Sequence, residues 1–101
     1  MSNLAAIDAI RIYSVASSSL NRALFALKDD NFSEHVTIML CDYISLLYSL
    51  KEITNTYAHY LYQEDYNKET AKKMLSVLKH AAEQCADTEK ELEGHISFEL
   101  H

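Results

Sequence analysis

The sequence predicts an all-α fold, an antiparallel bundle of three long helices, and three observations lead to it. The 101 residues hold no proline and a single glycine, so the chain lacks the punctuation that hairpins, barrels and phosphate loops require. Apolar residues recur at a 3-4 spacing through three long segments, the signature of amphipathic helices. The segments are separated only by short polar runs, at Asp29 to Asn31 and Asp65 to Asn67, and connections of that length make neighbouring helices antiparallel. A chain of this size builds one core, so residues 1–101 are expected to form a single domain.

The first helix is expected from about Asn3 to Lys28, with Ser2 able to cap its start and an inward row at Ala6, Ile10, Tyr13, Ser17, Leu20, Leu24 and Leu27. Asp29-Asp30-Asn31 then ends it, because short polar side chains bond their own backbone in competition with the helix. Asn31, with Glu34 three residues on, predicts the cap of the second helix. That helix is read from about Phe32 to Glu64, on the unbroken row Val36, Met39, Tyr43, Leu46, Leu50, Ile53, Tyr57 and Tyr60. Leu40, Leu47, Thr54 and Leu61 widen the stripe, as suits a central helix facing two neighbours. On this reading Leu46 and Leu50 mark the centre of the core. Thr54-Asn55-Thr56 is the weakest helical stretch, and a break near residue 55 would turn three helices into four.

Asn67 is the expected cap of a third helix running to about Glu93, with an inner row at Ala71, Leu75, Leu78, Ala82, Cys85 and Leu92 and with Met74 and Ala81 beside it. These side chains are small, which predicts that this helix approaches the bundle closely. Gly94 follows where a left-handed residue commonly ends a helix. Beyond it Ile96, Phe98 and Leu100 alternate with polar residues, predicting a short extended tail docked on the bundle or on a partner's sheet edge.

Charge excludes some functions. Nine bases stand against fifteen acids, a net charge of −6, which argues against binding a nucleic-acid backbone directly. Residues 83–101 carry six of the acids and only one base, Lys90, so nearly all the excess lies at the C-terminal end. No stretch reaches the ~20 apolar residues of a membrane span. The N-terminal region has no basic stretch ahead of an apolar one, and the expected placement is cytoplasmic. Cys41 and Cys85 sit at apolar helical positions with no CxxC spacing and fit reduced, buried thiols.

Enzymatic chemistry finds no support in the residue pattern. There is no Glu-x-x-His pair of the kind that builds di-metal bundles. His80 and Glu83 stand in the reverse order, His59 and Glu64 are five apart, and His35 adjoins a turn. Cys41-Asp42 and Ser17-Ser18-Ser19 lack the strained turn or helix N-terminus that activates a nucleophile. With one glycine the chain cannot make a phosphate loop or dinucleotide fingerprint. No catalytic residue, metal site or cofactor is therefore expected.

The expected function is a non-enzymatic protein-protein interaction module, such as an inhibitor, immunity protein, antitoxin or chaperone, that regulates a larger protein. Six of the seven tyrosines fall between residues 43 and 66. The second helix, at ~50 Å against ~39 Å for its neighbours, should overhang them by ~11 Å at this tyrosine-rich end. Tyr57, Tyr60, Leu61, Tyr62 and Tyr66 are accordingly read as partner-binding, with a homodimer formed through that end. Glu89, Glu93, Ile96, Phe98 and Leu100 complete the candidate surface. The alternative is an acidic mimic of nucleic acid, using the Glu-rich end of the third helix to fill a basic groove.

Overall fold

Helices α1 (Asn3–Ala26), α2 (Glu34–Leu61) and α3 (Lys68–Glu93) run up, down and up in a computed structural model that describes residues 3–28 and 31–96. The all-α reading holds, and no strand is present among the described residues. Helix α2 packs against both neighbours, whereas no Cα of α1 comes within 8 Å of one in α3 among the described residues. The result is flat and long, 51 × 24 × 16 Å. Its radius of gyration is 15.5 Å, against about 13 Å for a compact chain of this length.

Two apolar clusters fill the space over α2. One gathers Ala16, Leu20 and Ala23 of α1, Leu40, Tyr43 and Leu47 of α2, and Cys85 and Leu92 of α3. The other joins Ala6 and Ala9 to Tyr57, Leu61, Ala71 and Leu78. Ile96 is buried in the first cluster, so the start of the tail is docked. Phe98 and Leu100 lie outside the described residues, as do Ser2, Asp29 and Asp30.

The face that α1 buries differs from the expected one. Ala6, Ala9, Ala16, Ser19, Leu20 and Ala23 are buried, while Ile10, Tyr13, Leu24 and Leu27 are exposed. Alanines let the α1 backbone close on α2, and the larger apolar side chains are turned toward its flanks and outer side. The exposed Tyr13 ring carries the Lys51 ammonium of α2 5.1 Å from its centre, a cation–π contact.

On α2 the row that widens the stripe turns out to be its centre. Leu40, Leu47, Thr54 and Leu61 are buried beside Val36, Tyr43, Leu50 and Tyr57, while Met39, Leu46, Ile53 and Tyr60 are only partly covered. Leu50 keeps its expected place, and Leu47 replaces Leu46. Helix α2 does not break at residue 55. The Thr54 hydroxyl donates to the Leu50 carbonyl, which satisfies the buried side chain inside the helix.

Three caps and ends also differ or agree for local reasons. Ser33, not Asn31, caps α2, its hydroxyl accepting from the Val36 N–H at 3.2 Å. Asn67 caps α3 as expected, its Oδ1 accepting from Glu69 and Thr70 at 2.8 and 3.1 Å. Gly94 is right-handed, with φ −72°, because the His95 and Ile96 N–H groups both bond to the Leu92 carbonyl, at 2.8 and 2.9 Å. With 24, 28 and 26 residues, the helices are about 36, 42 and 39 Å long, so the large overhang of α2 is absent.

Exchange of Leu47 or Leu50 for alanine should lower stability by about 2–5 kcal/mol each, and exchange of Leu46 by no more than about 2 kcal/mol. Urea midpoints of the three variants give the comparison, and equal losses would place the core axis on the other row.

Candidate functional site: the groove between α1 and α3

Because α1 and α3 both lean on α2 without meeting, an open groove runs between them with α2 as its floor. It comprises two adjoining clefts of about 420 and 360 Å³ that share Arg11 and Ile12. Ala9, Ile12, Val15 and Ala16 form the α1 wall, Leu75, Leu78, Ala82 and Ala86 the α3 wall, and Tyr57, Leu50, Leu47 and Tyr43 the floor. Val15 stands 61% exposed on the rim. A third cleft, about 480 Å³, lies on the opposite side of α3, between Ile53 of α2 and Met74 and Val77.

Polar groups from all three helices meet at one end of the groove. Arg22 donates to the Ser19 hydroxyl at 3.1 Å, and Tyr43, Cys85 and Glu89 line the same cleft. Burial pushes the Tyr43 phenol up to about 12, with Glu89 adding to the shift and the Ser19 hydrogen bond opposing it. Burial also raises the Cys85 thiol, and Glu89 adds to it. A thiol held up in this way is a poor nucleophile. Among the described residues no group of three or more His, Cys, Asp or Glu could hold a metal ion, and no helix is long and apolar enough to cross a membrane. What the groove offers is a mainly apolar lining with a few polar groups.

Charge along α3 falls in a definite order, and of the residues that carry it Lys79 and Glu89 line the groove. On α3, Lys68, Lys72, Lys73 and Lys79 occupy the first half, and Glu83, Asp87, Glu89, Glu91 and Glu93 the second. Only Glu69 and Lys90 depart from this order. It runs against the helix dipole, which favours acids near the N-terminus and bases near the C-terminus. Among the described residues the ion pairs are Arg11 with Asp8 and Lys72 with Glu69, both exposed and each within one helix.

The residues singled out from sequence separate into distinct settings. Tyr57 and Leu61 are buried in the second apolar cluster, Tyr57 on the groove floor, so they do not project from the end of α2. Tyr60 and Tyr66 meet edge to face with ring centres 6.2 Å apart. The Tyr60 hydroxyl accepts from the Asn67 N–H at 2.7 Å, so this pair braces the turn into α3. Tyr62 alone of the five stands largely free, 62% exposed. Glu89 lines the groove, Glu93 is exposed, and Ile96 is in the core.

Sequence reasoning missed Ile12, Val15, Ala82 and Ala86 as surface-forming residues. The order of charges along α3 was the signal that could have drawn attention to this region. No family model matches the chain, and no curated protein or solved structure matches it either.

Two measurements follow from this geometry. The neutral Tyr43 phenol is favoured in the folded state, whereas the unfolded chain loses that proton near pH 10. Tyr43 therefore contributes stability below about pH 10 that is lost as pH rises toward about 12. Stability measured across that window should fall, and Tyr43→Phe should flatten the fall; the same slope in both proteins would contradict the assignment. Cys85 is buried as expected but Cys41, off the buried face of α2, is exposed, so a thiol reagent near neutral pH should modify Cys41 at least roughly tenfold faster. Mass spectrometry of the two peptides reads that ratio.

Proposed function

We propose that the chain is a non-enzymatic protein-binding module whose recognition surface is the α1–α3 groove. The observation that carries this reading is the pair of adjoining clefts between α1 and α3, where Val15 and Ala86 stand exposed above the buried Tyr43, Leu47, Leu50 and Tyr57. A surface of that shape suits an apolar helical face of another protein, which would lie along α1 and α3 and complete a four-helix arrangement. Alanine at positions 82 and 86 supports close approach of such a face, and Arg11, Lys79 and Glu89 at the rims supply orientation rather than affinity.

The nucleic-acid mimic is the weaker reading, since the acids of α3 share their helix with five lysines. A mimic presents a continuous run of negative charge to its target. The tyrosine-rich end of α2 is also a weaker candidate, because four of its five residues are occupied in packing or in the turn.

The test compares Ala86→Arg, which puts a bulky charge on the groove wall, with Val77→Arg on the opposite side of α3. Ala86 and Val77 are both exposed, so neither change disturbs the core. A protein partner recovered from the native host by affinity capture should bind the first variant at least roughly tenfold more weakly and the second about as well as the parent. Equal binding to both variants would remove the groove as the surface.

A further inference from the structure

We propose that the occupant of the groove is a second copy of this chain, related by a two-fold axis that sets the two α3 helices antiparallel, face to face. The inference rests on reading the groove as a recognition surface and names its partner. Three observations carry it.

The first is the self-complementarity of the rims. On the groove side of α3, Lys79 and Glu89 lie at equal distances on either side of residue 84, with Ala82 and Ala86 between them. Under a two-fold axis at that level, each Lys79 faces the second copy's Glu89, and the alanines face one another where the helices cross. On α1 the same relation holds about Val15, which shares a cleft with Ala82, Cys85 and Ala86. Asp8 and Arg22, opposite in sign, are equally spaced on either side of it, so the same reversal brings each to the level of its opposite in the other copy. An isologous interface requires this property, that one patch complement itself when reversed.

The second observation is the order of charge along the whole of α3, bases first and acids last. Within one chain it opposes the helix dipole. Between two antiparallel copies the basic half of each helix meets the acidic half of the other, whereas a parallel pair would set like charges together.

The third is exposed apolar surface at the level of the axis. Val15, which shares a cleft with Ala82 and Ala86, stands 61% exposed, and the pairing covers it.

Sedimentation velocity on the whole chain, from about 1 to about 200 μM, with K79E and E89K as charge reversals, tests the pairing. The parent should move from one chain of 11.6 kDa toward twice that mass as concentration rises. Each reversal alone sets like charges together at both contacts and should weaken self-association at least roughly tenfold. An equimolar mixture of K79E and E89K should associate again, because every facing pair is then opposite in sign; restoration also shows that both variants are folded. Over the same range, reagent modification of Cys85 should slow as the copies associate while that of Cys41 does not.

A parent that stays monomeric throughout would overturn the second copy as occupant, while leaving the groove open to the hetero-partner tested with Ala86→Arg. A dimer indifferent to both reversals, or a mixture that fails to associate, would overturn the antiparallel α3 contact.

Discussion

The fold depends on one helix serving two neighbours. The buried residues of α2, from Val36 and Leu40 through Tyr43, Leu47 and Leu50 to Thr54 and Leu61, form a face too broad for a single partner. Two helices that each take one side of such a face need not touch each other. The separation of α1 from α3, the flatness of the molecule and the groove all follow from that division. The alanines on the inner face of α1 let its backbone approach α2, and packing at close range secures dispersion contacts that larger side chains would prevent.

The polar interior is arranged to stay satisfied without water. Thr54 bonds within its own helix, Ser19 takes a hydrogen bond from Arg22, and no buried side-chain nitrogen or oxygen lacks a partner among the described residues. An unsatisfied buried group would cost about 1–3 kcal/mol, a large share of what a small domain has in reserve. The raised phenol of Tyr43 belongs to the same economy: the ring contributes its area to the core in neutral form and stays neutral well above physiological pH.

Charge and shape coincide on the open face. The residues that run against the α3 dipole are not compensated by ion pairs to other helices among the described residues. Exposed pairs of this kind contribute little to folding in any case. Their order has its clearest physical use between molecules, where sign fixes orientation and excludes the wrong register. On the proposed reading, the apolar lining of the groove would supply affinity and the charge along α3 direction.

While it left the continuity of α2 at residue 55 open, the sequence by itself determined much of the helices: their antiparallel order, the cap at Asn67, the end of α3 near Glu93, and the expected α3 row, of which Ala71, Leu78, Cys85 and Leu92 are buried and Leu75 and Ala82 partly so. Each of these is set by local chemistry, by periodicity or by a capping side chain, within a few residues of where it acts. Tertiary structure alone decided which face of α1 is buried, since a helix with apolar residues on several sides can turn its alanines or its leucines inward. The choice is made by how near α2 can come. It also decided that Leu47 rather than Leu46 lies at the centre, because two rows on one wide stripe differ only in where the second neighbour sits. The groove was illegible for the same reason: it is a gap between helices distant in sequence, formed by their relation to a third. Tyr57 and Leu61 looked like surface because an end of a helix has few neighbours in sequence, and they proved to be core because the ends of α1 and α3 meet them there.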